Sequence, residues 1–277
     1  MALDYSGEPG GATVETDNVI DDAAEPSAQL AIRPIGPGDI REALARGLAD
    51  FEAMPTHVAF LCLIYPIVML VAARVYAGYD VLPLIFPLLT GYTIVGPLVA
   101  IGMYELSRRR ERKMDISRAH AFDILKIPSI GSFAKLSALL MTIYFAWLAT
   151  AWTIYAQILG GAVPESIIDF ALQILTTPAG WMLVVVGCGA GFVFATVVFV
   201  LSVVSFPMIV DRDGDVPTAI QTSIRAVMGK PVAMGMWAFI VASALLLGSL
   251  PFFVGLSIVL PVLGHATWHL YRKVVEP

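Results

Sequence analysis

The feature that most constrains this chain is a series of apolar runs, each as long as a membrane span. Four of them occupy residues 58–76, 82–104, 136–158 and 181–206. About 20 mostly apolar residues in a helix cross the ~30 Å hydrocarbon core of a bilayer. A fifth stretch, from Val232 to about Tyr271, is roughly twice that length and carries Gly248 and Pro251 near its midpoint, where a reversal is expected. The sequence therefore predicts six transmembrane helices.

The composition places the chain in the membrane class before any motif is considered. Hydrophobic residues make up 58% of the chain and charged residues 14%, and the mean hydropathy is +0.79. Soluble domains carry about 25% charged residues. The expected fold class is therefore an all-α polytopic membrane protein.

The positive residues fall on one side of the six predicted spans. They include Arg33, Arg41, Arg46, the run from Arg108 to Lys113, Arg212, Arg225, Lys230, Arg272 and Lys273. The opposite side has only Arg74. Lys and Arg near span ends are retained in the cytoplasm, so both termini are predicted to be cytoplasmic.

A dense basic run follows the second predicted span. Its members are Arg108, Arg109, Arg110, Arg112 and Lys113. In this position the run predicts a topology signal that also attracts anionic lipid headgroups, whereas the same run in a soluble protein would suggest nucleic acid. Glu105, just ahead of the run, is expected to anchor the interface or to pair with these arginines. No nucleic-acid partner is expected.

The first 34 residues are predicted to form a disordered acidic tail. The first thirty carry seven acidic residues and no Lys or Arg, with few large apolar residues, so they bury too little surface to fold. Residues 35–277 are predicted to form the transmembrane domain.

A pattern of Asp, then Ile or Val, two further residues and Ala occurs three times, each time ahead of a long apolar run. It begins at Asp39, Asp115 and Asp215. Each Asp is expected to be a helix N-cap, which accepts hydrogen bonds from free amides of the first turn. The pattern predicts three repeats, at about 38–104, 114–210 and 214–273, each an interfacial helix followed by a two-span hairpin. Chance convergence of capped amphipathic helices is the alternative.

Each leading helix is expected to bury one apolar face at helical spacing. The three sets are Ile40, Leu44, Leu48 and Phe51; Ile116, His120, Ile124 and Ile127; and Val216, Ile220, Ile224 and Val227. Residues Pro164 to Thr176 are expected to form one further short interfacial helix on the outer side.

Three histidines are the main candidates for residues that bind a cofactor. His265 and His269 are four residues apart, so they share one helix face, and His120 replaces an apolar residue of the sister repeats. Such residues can ligate haem iron or a metal. The alternative is an interfacial belt with Trp268 and Tyr271. The cofactor stays open, and we expect no metal site.

Small residues inside the fourth span predict helix packing rather than chemistry. Gly187 and Gly191 form a small-xxx-small face that lets another helix approach closely. Cys62 and Cys188 lie in separate spans and are expected to be packing residues. No motif of a hydrolase, zinc enzyme or nucleotide-binding protein occurs, so the sequence does not predict an enzyme.

Several motifs resemble a known family. They are Gly96-Pro97-Leu98, Tyr104 through Arg110, Phe206-Pro207, Asp211-Arg212-Asp213 and Leu260 through Arg272. Over about residues 35 to 273 the chain resembles the proteobacterial predicted integral membrane proteins of unknown function, some of which carry labels linking them to cytochrome c oxidase. The resemblance implies a six-span fold and a bacterial inner membrane.

The sequence favours a non-catalytic accessory, assembly or scaffold partner of a larger membrane complex. The alternative is a carrier or sensor of a small apolar ligand, lipid or haem, bound between repeats with His265, His269 and His120 at the mouth of the cavity. The expected partners are anionic lipids on the cytoplasmic side and other subunits of a membrane complex.

Overall fold

The described part of the chain is helical. The computed structural model describes residues 1–2, 31–54, 83–90, 92–115, 129–162, 164–250 and 255–275. In these ranges 84% of the residues are in helices and no β-strand forms. The helices are α1 (Pro37–Ala53), α2 (Ile85–Thr90), α3 (Tyr92–Glu111), α4 (Ile130–Leu159), α5 (Ile167–Thr176), α6 (Pro178–Ser202), α7 (Ser205–Arg212), α8 (Val216–Gly229), α9 (Pro231–Ser249) and α10 (Leu256–Val274).

Three described stretches are long and apolar enough to cross a membrane. They are α4, the continuous stretch Pro178–Arg212 formed by α6 and α7, and α9. The predicted spans at 136–158 and 181–206 lie within the first two. The predicted span at 82–104 is divided between α2 and α3, and neither these helices nor α10 is among the three stretches. The predicted span at 58–76 lies outside the described residues. The six-span architecture therefore stays a prediction.

The apolar stretch after Val232 forms two helices, as its length and its central Gly and Pro indicate. Helix α9 ends at Ser249 and α10 begins at Leu256. The backbones of Gly248 and Gly255 meet at this point, because a Cβ on Gly255 would lie 2.7 Å from the Gly248 carbonyl oxygen. A side chain at Gly255 would therefore force the two helix ends apart.

The Asp residues of the repeat pattern differ in their capping roles. Asp215 is the N-cap of α8, and its Oδ2 accepts from the amide of Thr218 at 3.2 Å, as predicted. The prediction for Asp39 was wrong, because α1 begins at Pro37, with Gly36 as its N-cap. Proline suits the first position of a helix, where no amide donor is needed. Asp39 still contributes, since its Oδ2 accepts from the Gly36 amide at 2.9 Å. The helix predicted after Asp115 lies outside the described residues.

The predicted buried face of α1 was wrong in part. Its buried residues are Ile40, Ala43, Gly47 and Asp50, whereas Leu48 is 45% exposed. Small residues occupy part of this buried face because α10 crosses α1 at very close range. A Cβ on Gly47 would lie 2.6 Å from the Ala266 amide nitrogen.

Helix α8 has the same buried register as α1. Its buried residues include Ala219, Ser223 and Ala226, which match Ala43, Gly47 and Asp50 at one constant offset. As in α1, one residue of the predicted buried face is exposed: Ile224 is 38% exposed.

Ser223 of α8 joins the two halves of the long stretch Pro178–Arg212. Its hydroxyl donates to the Val200 carbonyl at 2.7 Å and accepts from the Val204 amide at 3.3 Å. The helix breaks between α6 and α7 at this point, so Ser223 satisfies backbone groups that the break leaves without helical partners.

Helix α5 confirms the short helix predicted before the fourth span, although it begins at Ile167 rather than Pro164. Ser166 is its N-cap and accepts from the Asp169 amide at 3.1 Å. Its exposed large residues, Ile168, Leu172 and Leu175, form an apolar face, which suits a helix in the membrane interface.

The segment before α1 pairs with the end of α10. The Arg33 amide donates to the Val274 carbonyl at 2.8 Å, and Ile32 and Val275 form an antiparallel bridge. These bonds hold the segment before α1 beside the end of α10.

Candidate functional site: a buried polar cluster

Five polar side chains meet where α1, α3 and α10 pack together. We call Asp50, Ser107, Arg110, His265 and His269 the polar cluster. Asp50, Ser107 and His265 are each no more than 5% exposed. Burying so many polar groups is costly unless each finds a partner, so their hydrogen bonds decide what the cluster does.

Asp50 is the hub of the polar cluster. Its Oδ2 accepts from the Ser107 hydroxyl at 2.6 Å and from Nε2 of His269 at 2.8 Å. Its Oδ1 accepts from the guanidinium of Arg110. One carboxylate thus joins α1 to both α3 and α10.

His265 occupies the closed end of the polar cluster. Its Nδ1 lies 2.7 Å from the Ser107 hydroxyl oxygen. Since the Ser107 proton goes to the Asp50 carboxylate, this contact requires that Nδ1 of His265 carries a proton and donates it. The other ring nitrogen, Nε2, is buried and has no hydrogen-bond partner among the described residues.

The surroundings of Asp50 favour its ionised form. Burial acts to raise the pKa of Asp50, but hydrogen bonds from His269 and Ser107 and the electrostatic effect of the two histidines outweigh it, so the pKa lies below its ordinary value. These partners exist only in the folded chain. Ionised Asp50 therefore contributes stability above its ordinary pKa, and that stability is lost as the pH falls below it.

Two further carboxylates neutralise the basic run of α3. Glu105 is 2% exposed and accepts from Nε of Arg108 at 2.8 Å and from Nε of Arg109 at 2.7 Å. This confirms the predicted pairing of Glu105 with its neighbouring arginines. Asp211 at the end of α7 accepts from Arg112 at 3.3 Å and from the Tyr271 hydroxyl at 3.0 Å.

A second set of contacts ties the start of α1 to the end of α10. The Lys273 ammonium donates to Glu42 at 2.7 Å and to Asp39 at 3.2 Å. These bonds, with that to Glu42 the largest influence, raise the pKa of Lys273. Both carboxylates are well exposed, so we expect the pairs to contribute less stability than Asp50.

The polar cluster contains the residue types of a hydrolase triad but not its geometry. In such a triad the serine and the carboxylate contact opposite nitrogens of the histidine. Here both approach Nδ1 of His265, the Ser107 hydroxyl at 2.7 Å and the Asp50 Oδ2 at 3.9 Å. A substrate also has no path to a serine that is 1% exposed. The arrangement therefore holds helices together.

The comparison with known families agrees with the apolar helices. Residues 85–211 match DUF2189, a predicted integral membrane protein family. The chain is an integral membrane protein. The matched region runs from α2 to the end of α7 and includes Ser107 and Arg110 of the polar cluster, but not Asp50, His265 or His269. No curated protein and no solved structure matches the chain.

The structure describes two of the three predicted cofactor histidines. His265 and His269 are brought together at Asp50, where α1, α3 and α10 pack together. His120 lies outside the described residues. Among the described residues no group of three or more His, Cys, Asp or Glu could hold a metal ion. A cofactor role for these histidines stays a prediction.

The structure also describes the surroundings of the predicted packing glycines and of the predicted lipid-binding arginines. A Cβ on Gly191 would lie 3.3 Å from the Trp147 ring, so Gly191 packs α6 against α4, whereas a Cβ on Gly187 would contact nothing within 4 Å. The guanidinium groups of the basic run, at Arg108, Arg109, Arg110 and Arg112, all form ion pairs within the chain. Of the predicted headgroup residues, Arg112 and Lys113 are exposed.

The sequence analysis missed Asp50 and Ser107. One signal for Asp50 was present, since it continues the series Ile40, Ala43 and Gly47 at spacings of three and four residues. An acidic residue at such a position on a helix face that carries small residues indicates a buried partner. Ser107 gave no comparable signal, because its partners lie 57 and 158 residues away in the sequence.

Proposed function

We propose that the protein is a non-catalytic accessory, assembly or scaffold subunit of a larger complex in the bacterial inner membrane. The observation that carries this proposal is the closure of the polar cluster. Asp50, Ser107 and His265 bind one another and are buried, so their chemistry is used to join α1, α3 and α10. The described surface that remains for partners consists mainly of apolar helix faces.

Helix α6 offers the face that best suits a partner helix. Its exposed residues include both large and small side chains, as in Val185, Cys188, Gly189 and Phe192. Helices associate in a membrane by close packing, and small residues allow their backbones to approach. A Cβ on Gly189 would meet no atom of the chain within 4 Å, so the space beside it is open to a neighbour.

The proposed architecture is three repeats arranged in a ring of six spans, with both termini in the cytoplasm. Two packing relations support it. Helix α8, which opens the third repeat, packs on α6 and α7, which close the second. Helix α1, which opens the first repeat, packs on α10, which closes the third. Both leading helices that the structure describes thus pack on the end of the preceding repeat, as cyclic order requires.

The second candidate function is a carrier or sensor of haem or another small apolar ligand. It is favoured by Nε2 of His265, a buried nitrogen that has no partner among the described residues. Native protein with a Soret band that His265→Ala abolishes would establish this function. In a carrier, the His265→Ala variant would lose the Soret band and still fold.

The accessory proposal predicts a stoichiometric partner. A tagged copy purified from native membranes in mild detergent should bring down membrane subunits at a fixed ratio, quantified by mass spectrometry against an unrelated six-span protein. Gly189→Leu should reduce partner recovery about tenfold, which corresponds to ~1.4 kcal/mol, because the side chain would fill the open face of α6.

Gly235→Leu on α9 is the matched control for this experiment. A Cβ at Gly235 also meets no atom of the chain within 4 Å, so both substitutions should leave the fold unchanged. Equal loss of the partner in both variants would argue against the α6 face. A protein that purifies without any stoichiometric partner would overturn the accessory function.

A further inference from the structure

We propose that the junction of α8 and α9 binds the headgroup of an anionic phospholipid, with Arg225 and Lys230 contacting its phosphate. This inference does not depend on the accessory function. It also differs from the sequence-based expectation, which assigned headgroup binding to the basic run after the second predicted span.

The first step of the argument is an apolar strip along the outer side of the junction. Ile224, Met228 and Val232 are 38%, 70% and 87% exposed. Ile224 and Met228 are four residues apart and therefore lie along one side of α8, and Val232 follows at the start of α9. The opposite side of α8, which includes Ala219, Ser223 and Ala226, is buried against the protein. Such an amphipathic helix lies in a membrane interface with its apolar side toward the acyl chains.

The second step is the depth of the junction. Helix α9 is long and apolar enough to span the bilayer, and it begins at Pro231, directly after Lys230. Residues at the start of a span lie at the level of the lipid headgroups. A soluble partner would not reach Met228 and Val232 at this depth, whereas a lipid contacts both the apolar strip and the cations beside it.

The third step is the availability of positive charge. Neither the Arg225 guanidinium nor the Lys230 ammonium forms a hydrogen bond or ion pair within the described parts of the chain, and Lys230 is exposed. By contrast, Arg108, Arg109 and Arg110 are each bound to Glu105 or Asp50. An unpaired cation at the headgroup level attracts anionic lipid, at about 1 kcal/mol for each Lys or Arg. The unpaired positive charges of Arg225 and Lys230 thus lie beside the apolar strip.

The test is lipid retention by the full chain. The protein is purified in detergent with equal amounts of phosphatidylglycerol and phosphatidylcholine, and the bound lipids are counted by native mass spectrometry. The wild-type protein should retain phosphatidylglycerol in preference. Arg225→Gln with Lys230→Gln should reduce its retention about fivefold for each cation removed, while phosphatidylcholine retention stays the same.

The control variant is Arg41→Gln with Arg46→Gln, which removes two exposed cations of α1. An equal loss of phosphatidylglycerol in the control would overturn the site, since the attraction would then reflect net charge alone. Displacement of the lipid by excess inorganic phosphate would also overturn it, because the site would then bind a free anion. Melting temperatures of both variants should match the wild type, which separates lost binding from lost folding.

Discussion

Asp50→Ala is expected to lower the free energy of unfolding by about 3 kcal/mol and to release α1 from the helix junction. The substitution leaves Ser107, His269 and the Arg110 guanidinium without their shared acceptor. Removing one partner of a buried charged pair typically costs ~3–5 kcal/mol. We take the lower end because the Arg110 side chain is 39% exposed and water can replace part of its contact.

The measurement is chemical unfolding in mixed micelles, combined with hydrogen exchange of residues 37–53. Glu52→Gln is the control, because it removes an exposed negative charge from the same helix. It should change the free energy of unfolding by less than about 0.5 kcal/mol. Asp50→Ala with control-like stability and unchanged exchange in α1 would show that the polar cluster does not hold the junction.

Gly47→Val is expected to destabilise the same junction by about 3 kcal/mol. A Cβ at this position would lie 2.6 Å from the Ala266 amide nitrogen and 2.7 Å from its Cα, so it collides with backbone as well as side chain. Backbone cannot rotate away as a flexible side chain does. Forcing extra volume into a packed contact typically costs ~1–3 kcal/mol, and a branched side chain falls at the upper end.

Gly38→Val provides the comparison, since a Cβ on Gly38 meets nothing within 4 Å. Both changes add the same side chain to the same helix, so any difference in unfolding free energy reports the contact with Ala266. If the two variants were equally stable, the close approach of α1 and α10 would be refuted.

Local signals in the sequence predicted much of the helical framework. The apolar lengths located α4 and α6, the Gly and Pro residues near position 250 located the break between α9 and α10, and Asp215 was identified as the cap of α8. Each of these depends on residues close together in the chain. The i+3 and i+4 pairs of Glu105 with its arginines were predicted for the same reason.

The buried face of α1 and the polar cluster could not be predicted in the same way. Hydrophobicity favoured Leu48 as a buried residue, yet a close crossing with α10 selects Gly47 and Ala43 instead. The distance between α1 and α10 is a tertiary property, because Asp50 and His269 are 219 residues apart in sequence. Only the positions of whole helices show that the polar residues of three elements meet at one carboxylate.

The polar cluster also links the opposite ends of the described chain. Helix α1 and α10 are joined by Asp50 and His269 at one point and by Lys273 with Glu42 at another. In the proposed ring of repeats, these contacts close the circle between the third repeat and the first. The fold would then depend on the last helix to hold the first in place.

Cysteine accessibility tests the central claim, a six-span protein with the polar cluster on the cytoplasmic side. Glu165→Cys, Lys113→Cys and Lys230→Cys would be made singly in a background carrying Cys62→Ser and Cys188→Ser, and treated with a membrane-impermeant maleimide on intact spheroplasts. We predict labelling of Glu165→Cys in intact spheroplasts, and labelling of Lys113→Cys and Lys230→Cys only after permeabilisation. Labelling of Lys230→Cys in intact spheroplasts, or of Glu165→Cys and Lys230→Cys from the same side, would contradict the account.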